Sequence, residues 1–578
     1  MTMADATALL DLIAPLYRDH PGWAVERDRI ADVLHAAAEA RSPELRALDA
    51  DRAARPAWFG APDMIGYSFY IDRFAGTVAG LRKRLPWLDA LGIRLLHPLP
   101  MTLGQSGDSD GGFAVADYRA IEPALGSLDD VRALAADLHG RGMALAMDCV
   151  LNHTARDHAW AQAALAGDAE KRGYYRILDD EAQVTAWEAD LDEVFPDTAP
   201  GNFTHEPALG GWVWTSFYPF QWDLDWSNPA VFREMLDVLL FWANVGVDAF
   251  RLDSAPYLWK RPGTVSRNLL ETHMLVAALR AGLDTVAPGV ALLAEAIERT
   301  ADVLPYIEPE DGSRAAQLAY HNGVMAALWV ALATGDAAIV GDLVRDTALT
   351  RPDTAWLSYL RCHDDIIWSA LNGRVAADEL DRISDFYAGA GGFADGRRFQ
   401  ARPGAAPSTV GMLASLVGTQ GPDAIGRYRL LLATMLALPG MPMLYMGDEI
   451  GLANHIDPAA PDDARWLHRP PMDWSRADAA AGGDGEGADW LALTRRLLGV
   501  RAGLLALDAK ASTVVHADTP GLLAVTRGDG DDAVVLIANF GAVPQDMPLA
   551  GRWHDAIDDR AIGGPIAGGS VVWAVRRG

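Results

Sequence analysis

From about residue 64, short apolar runs alternate with longer stretches whose apolar positions recur at helical spacing. The runs at 65–71 (IGYSFYI), 93–99 (IRLLHPL), 143–150 (MALAMDCV), 247–253 (VDAFRLD), 290–296 (VALLAEA), 318–322 (LAYHN), 356–364 (WLSYLRCHD) and 441–449 (MPMLYMGDE) read as strands. Amphipathic segments at 128–142, 229–246 and 268–286 read as helices between them. Eight β-then-α units in succession predict an α/β fold, a (β/α)₈ TIM barrel. Its catalytic body is expected at 63–153, 231–365 and 425–485, with insertions after the third strand (154–230) and the seventh (366–424). Residues 1–62 show helical spacing in LLDLIAPLY and IADVLHAAAEA. Within 486–578, apolar runs at 522–528, 533–540 and 571–575 separated by turn residues predict a C-terminal antiparallel β-domain, with GGDGEG (482–487) as linker.

Catalytic groups of such barrels stand at the C-terminal ends of strands. The third candidate strand ends in Asp148, followed by Asn152 and His153; the fourth carries Arg251 and ends in Asp253. The fifth ends in Glu295, and the seventh in His363, Asp364 and Asp365. Arg251 and Asp253, two apart on a strand, share a face. The guanidinium is expected to lower the Asp253 pKa and keep it ionised, as a glycosyl nucleophile must be. Glu295 follows the apolar run ALLA, which is expected to raise its pKa and fit it as general acid. Two carboxyls in opposed environments are what retaining glycoside chemistry requires. Asp364 would grip sugar hydroxyls as the ring distorts, with His153 and His363 donating to the same ring.

Composition narrows the partner. The 578 residues carry 49 Lys and Arg against 78 Asp and Glu, a net charge of −29. A polyanion repels nucleic acid and anionic membrane, so a small neutral or cationic ligand is favoured. The two cysteines, Cys149 and Cys362, lie in runs read as buried strands and are expected to be structural thiols. No secretory signal or bilayer-spanning run is evident, so the cytoplasm is the expected location.

The motifs DCVLNH (148–153), VDAFRLDS (247–254), LLAEA (292–296) and YLRCHDD (359–365) resemble, in order, the signatures of the α-amylase superfamily of glycoside hydrolases. The segments SDGGFAVADYR (109–119), EPALG (122–126), EVFPDTAPGNF (193–203), WVWTSFYPFQWDLDWSNP (212–229), ALPGMPMLYMGDEIG (437–451) and DDARWLHRP (462–470) are similar to amylosucrases and sucrose hydrolases within it. The resemblance implies Asp253 as nucleophile, Glu295 as acid/base and Asp364 as transition-state stabiliser. It implies that His153, Arg251 and His363 bind the glucosyl ring, and that an Asp110–Arg465 salt bridge closes the pocket floor. Phe113 replaces the usual stacking tyrosine, Phe220 lines the pocket, and Gln221 and Asp365 lie beside the leaving group. Sucrose or another α-glucoside is the implied substrate, and no cofactor or metal is implied.

Two departures bear on product. Asp192 stands where amylosucrases carry an acceptor-site arginine, and the insertion after the seventh strand is shorter and glycine-rich, leaving Arg397, Arg398 and Arg402 as unplaced candidates. Hydrolysis with limited transfer is therefore expected, with an α-glucosidase or an isomerase of maltose or trehalose as the alternative. A non-catalytic sugar-binding homologue is a further alternative, although such relatives typically lose the three carboxylates.

Overall fold

The computed structural model describes residues 3–389, 391–401, 406–418, 423–457, 463–516 and 520–576. Eight parallel strands close into a barrel: β1 (Gly66–Phe69), β2 (Leu95–Pro98), β3 (Ala144–Val150), β4 (Ala249–Asp253), β5 (Ala291–Ala294), β6 (Leu318–Tyr320), β7 (Ala355–Tyr359) and β8 (Met441–Tyr445). Every run read as a strand coincides with one, although β7 begins one residue before its run and ends at Tyr359, well short of Asp364. Each is buried throughout its length, as parallel strands covered by helices must be, which is why they read as near-continuous apolar runs.

Helices α1 (Met3–Tyr17), α2 (Trp23–Ala40) and α3 (Pro43–Ala53) precede the barrel. Arg52 of α3 reaches under it to Asp248 at 2.6 Å, and His139 meets the same carboxylate at 3.0 Å. The barrel helices include α4 (Val78–Leu91), α5 (Leu128–His139), α6 (Pro229–Val245) and α7 (Leu270–Val286). α5 opens on a capping box between Ser127 and Asp130. α6 begins with Pro229 behind the Asn228 cap and ends at Gly246, whose φ of 115° is a left-handed stop that turns the chain into β4. The fifth unit differs from the expectation: β5 is followed by one helical turn, Thr300–Val303, because Pro305 and Pro309 bar continuation. α8 (Asn322–Thr334), α9 (Ala424–Ala437) and α10 (Ala488–Ala502) follow β6, β7 and β8.

The 154–230 insertion folds as short helices and a three-stranded antiparallel sheet, and its strand Gln221–Asp223 pairs back onto His153–Ala155 beside the barrel. The 366–424 insertion carries a helix, Ala377–Tyr387, and a strand pair, Arg397–Arg398 with Thr409–Val410. The six-stranded C-terminal sheet starts at Thr513 rather than near 486, because α10 first packs beside α9. The segment GGDGEG lies between Trp474–Ala481 and α10, so it joins two helices. Cys149 is buried in β3, whereas Cys362 lies beyond the end of β7; both thiols are free. Among the described residues, no helix is long and apolar enough to cross a membrane.

Candidate active site

The strand ends open into one cavity of about 1300 Å³, its open mouth included, lined by the carboxyls of Asp253, Glu295, Asp364 and Asp365 and by Arg251, His153 and His363. Arg251 organises it. Its Nη1 reaches Asp253 at 2.7 Å and Asp148 at 2.6 Å, and its Nη2 lies 3.9 Å from Glu295 and 3.8 Å from Asp364. Asp148 also meets His97 at 3.0 Å; burial works to raise its pKa, yet His97 and Arg251 hold it at about 2. It therefore orients its neighbours.

The environments of the two central carboxyls differ in degree, not in sign. Burial pushes Glu295 up to about 8; Arg251 opposes this, and Asp253 and Asp364 add to it. Burial also raises Asp253, against Arg251 and His153. The expected depression of Asp253 is thus overturned: the guanidinium is shared with Asp148, and dehydration outweighs what remains. Of the pair, Glu295 is the carboxyl that holds a proton at neutral pH. Asp253 keeps the closer cation and a hydrogen bond from Ser254 Oγ at 2.9 Å. A protonated and an ionised carboxyl side by side can supply a proton and a nucleophile to one glycosidic bond.

The polar walls are hydrogen-bonded in series. Gln221 Nε2 donates to Asp110 Oδ2 at 2.5 Å and lies 3.0 Å from His153 Nε2. Asp110 accepts from the Phe113 N–H at 3.0 Å. Gly111 permits that turn: it has a φ of 102°, and a Cβ there would meet Arg469 and Tyr70 at 2.8 Å. Phe113 stacks on His363, with centroids 5.3 Å apart and planes 9° from parallel. Burial first, then Arg251 and Arg469, hold His363 well below its usual pKa, so it is a neutral imidazole. Burial also raises Asp365.

Two expectations fail here, and the unplaced arginines find no role in the cavity among the described residues. Asp110 and Arg465 both line the cavity but form no ion pair; Arg465 binds Asp463 at 2.6 Å and reaches Asp364 at 3.5 Å. Two residues from Asp463, Arg465 finds that carboxylate closer than the one across the pocket. Phe220 stacks on Tyr218 at 5.2 Å outside the cavity; Phe217 lines it instead, 5.2 Å from His153 and 5.3 Å from Tyr257. Arg398 turns to Asp381 (2.5 Å) and Asp385 (2.6 Å), Arg397 is exposed, and Arg402 lies outside the described residues.

Phe195, Glu298 and Lys260 sit in loops without periodic pattern and Tyr257 in a three-residue helical turn, Ala255–Tyr257, so nothing local in the sequence marks them. The Lys260 ammonium is buried among Asp223 (2.7 Å), Asn152 Oδ1 (2.9 Å) and the Tyr257 carbonyl, tying the end of β3, the insertion and the loop after β4. Among the described residues, one group has donor atoms close enough to hold a metal: Cys362, His363 and Asp364, within 4.8 Å of one another. Burial pushes the Cys362 thiol up to about 12, so it stays protonated and is a poor ligand.

The catalytic-domain model of the α-amylase family matches residues 47–326. The chain is 30% identical over 512 residues to the trehalose synthase/amylase of Mycolicibacterium smegmatis, covering 82% of each chain. It is 33% identical over 430 residues to a trehalose synthase of Thermus thermophilus, covering 73% of this chain and 41% of that longer one. The fold matches a sucrose 6F-phosphate phosphorylase from Thermoanaerobacter thermosaccharolyticum with a TM-score of 0.69 at 18% identity, over 84% of this chain and 94% of the other. The chain belongs to the α-amylase family, as an enzyme acting on α-glucosides.

Proposed function

We propose that this enzyme works by double displacement on a small α-glucoside and passes the glucosyl unit to a sugar, interconverting maltose and trehalose. The observation that carries the chemistry is the pairing of Asp253 and Glu295 around Arg251, with Glu295 raised to about 8. Asp253 attacks the anomeric carbon while Glu295 gives its proton to the departing oxygen, leaving a covalent β-glucosyl-enzyme. Glu295, now ionised, takes the proton of an incoming hydroxyl as that oxygen displaces Asp253, and the α configuration returns. Asp364, His153 and His363 hold the ring hydroxyls. No metal or organic cofactor enters these steps.

Isomerisation is favoured by the relatives named as trehalose synthases, rather than the sucrose branch that the motifs suggested. The contact between the two insertions supports it: Gln400, which lines the cavity, donates from Nε2 to Thr198 at 3.1 Å, and the Ala401 N–H donates to Asp197 at 3.1 Å. A leaving glucose retained beside that contact can turn and re-attack through another hydroxyl. Sucrose as donor, with fructose released to water or an acceptor, is the second reading; the segments at 193–203 and 212–229 favour it.

Incubation with maltose, trehalose and sucrose, followed by NMR of the products, separates the readings. Interconversion of maltose and trehalose with little glucose is expected. Faster release of fructose from sucrose would put the second reading first. Asp253→Ala and Glu295→Ala should each lose at least about 10³ in turnover; near-normal rates in either would overturn the residue roles.

A further inference from the structure

Arg267, in the segment after β4, stands between two residues in left-handed backbone, Ser266 (φ 48°) and Asn268 (φ 55°). That region is costly for Ser266 and better tolerated by Asn268, and each is tied down. Ser266 is buried and its Oγ accepts from the Arg261 N–H at 3.1 Å. Asn268 donates to the Pro256 carbonyl at 2.9 Å and accepts from the Tyr306 hydroxyl at 2.9 Å. Strain of this kind persists only where the surroundings enforce it, and it fixes the direction of the residue between. Arg267 Nη2 meets Asp192 at 3.0 Å and its Nε meets Glu298 at 3.0 Å. These partners come from the insertion after β3 and the segment after β5, while Arg267 itself follows β4. Burial would lower the Arg267 pKa, but Tyr257, Glu298 and Asp192 raise it further, so it stays charged.

What this bridge holds matters more than its own strength, since a half-exposed ion pair contributes little to stability. Asp192 lies just before Val194 and Phe195, and these two line the cavity with Tyr257 and Glu298. Phe195 packs 5.1 Å from Tyr218 and 6.1 Å from Phe217, an aromatic wall of which Phe195 and Phe217 face the cavity.

We infer that Arg267 is a specificity-determining residue: by bridging Asp192 and Glu298 it fixes the Phe195 wall over the leaving-group side and sets how the glucosyl unit is shared between sugar and water. The inference rests on the double-displacement reading above. Arg267 acts through Phe195 and Tyr257, as a positioning residue. A loosened wall lets water reach the glucosyl-enzyme while sugar is less firmly held.

The test uses α-D-glucosyl fluoride as donor and glucose as acceptor with the full chain. Fluoride release reads total turnover; labelled free glucose against labelled disaccharide reads the partition. In Arg267→Ala the share of glucosyl units passing to water should rise by about threefold or more, and Arg267→Lys should recover part of the wild-type partition. Asp192→Asn, at an exposed position that cannot unfold the core, should shift it the same way. An unchanged partition in Arg267→Ala and Asp192→Asn overturns the inference, whatever happens to total turnover, since a merely structural role lowers fluoride release without moving the partition. Failure of the underlying reading looks different: the wild-type enzyme would release no fluoride, or would form products of inverted configuration.

Discussion

Ser254 turns its backbone N–H onto Glu295 Oε2 at 2.7 Å from a left-handed conformation, φ 52°, while its hydroxyl donates to Asp253. One strained residue at the end of β4 thus fixes the spacing of the two central carboxyls. A non-glycine residue is held there at a cost of order 1 kcal/mol. Ser254→Gly should relieve that strain and loosen the pair together, giving equal or higher stability by chemical denaturation and lower turnover. A loss of stability without loss of turnover would contradict this.

The proton on Glu295 should be visible in the pH profile. If it is the group that protonates the leaving oxygen, kcat/KM on a disaccharide falls as pH rises through about 8. Glycosylation from α-glucosyl fluoride needs no such proton, so its alkaline limb should be displaced or lost. The same limb at the same pH for both donors would remove Glu295 from that step.

Arg251 is encircled by Asp148, Asp253, Glu295 and Asp364, all within 3.9 Å. Removing it strands buried carboxylates, at a cost of about 3–5 kcal/mol. Arg251→Leu should therefore lower the urea midpoint sharply as well as abolish turnover. A variant of unaltered stability would mean that the carboxylates relax by protonation.

The barrel was legible because covered parallel strands are apolar throughout. Asp253 closes β4 and Glu295 directly follows β5, so both could be read from the ends of those runs, whereas His363 lies four residues beyond β7. The single helical turn after β5 could not, since it depends on where Pro305 and Pro309 fall in a segment of mixed polarity. Phe217 and Phe220 share one aromatic-rich loop without period, so nothing local says which faces inward. Arg465 was given the wrong partner because the choice between Asp110 and Asp463 is made by tertiary geometry. Lys260 and Arg267 sit in polar loops, where a cation reads as surface until its carboxylates arrive from other elements.

Lys260 offers a direct measure of such a contact. Its side chain is 3% exposed and that of its partner Asp223 is 0%. Lys260→Met should cost about 3–5 kcal/mol by leaving Asp223 charged and unpaired. Adding Asp223→Asn should recover part of that loss, since Ser216 and Asn152 still bond to the amide. The double-mutant cycle should give a coupling of at least about 1 kcal/mol; additive losses would show that Lys260 does not pair with Asp223 in solution.

Two buried carboxyls follow β8. Asp448 and Glu449 are both buried; Arg361 lies 3.7 Å from Asp448, and the Tyr67 hydroxyl donates to Glu449 at 2.9 Å. Burial pushes each carboxyl up to about 7. Between an unfolded value near 4.5 and about 7, the folded chain then holds more protons at Glu449 than the unfolded chain does, so stability falls as pH rises through that window. The stabilisation is complete below the window and gone above it. A shift of this size is worth about 3 kcal/mol. Glu449→Gln keeps an acceptor for Tyr67 and cannot ionise. Its stability relative to wild type should therefore improve by about 2.5 kcal/mol between pH 5 and pH 8, whatever the offset at pH 5. A constant difference across that range, measured by urea denaturation, would show that Glu449 titrates as it does in the unfolded chain.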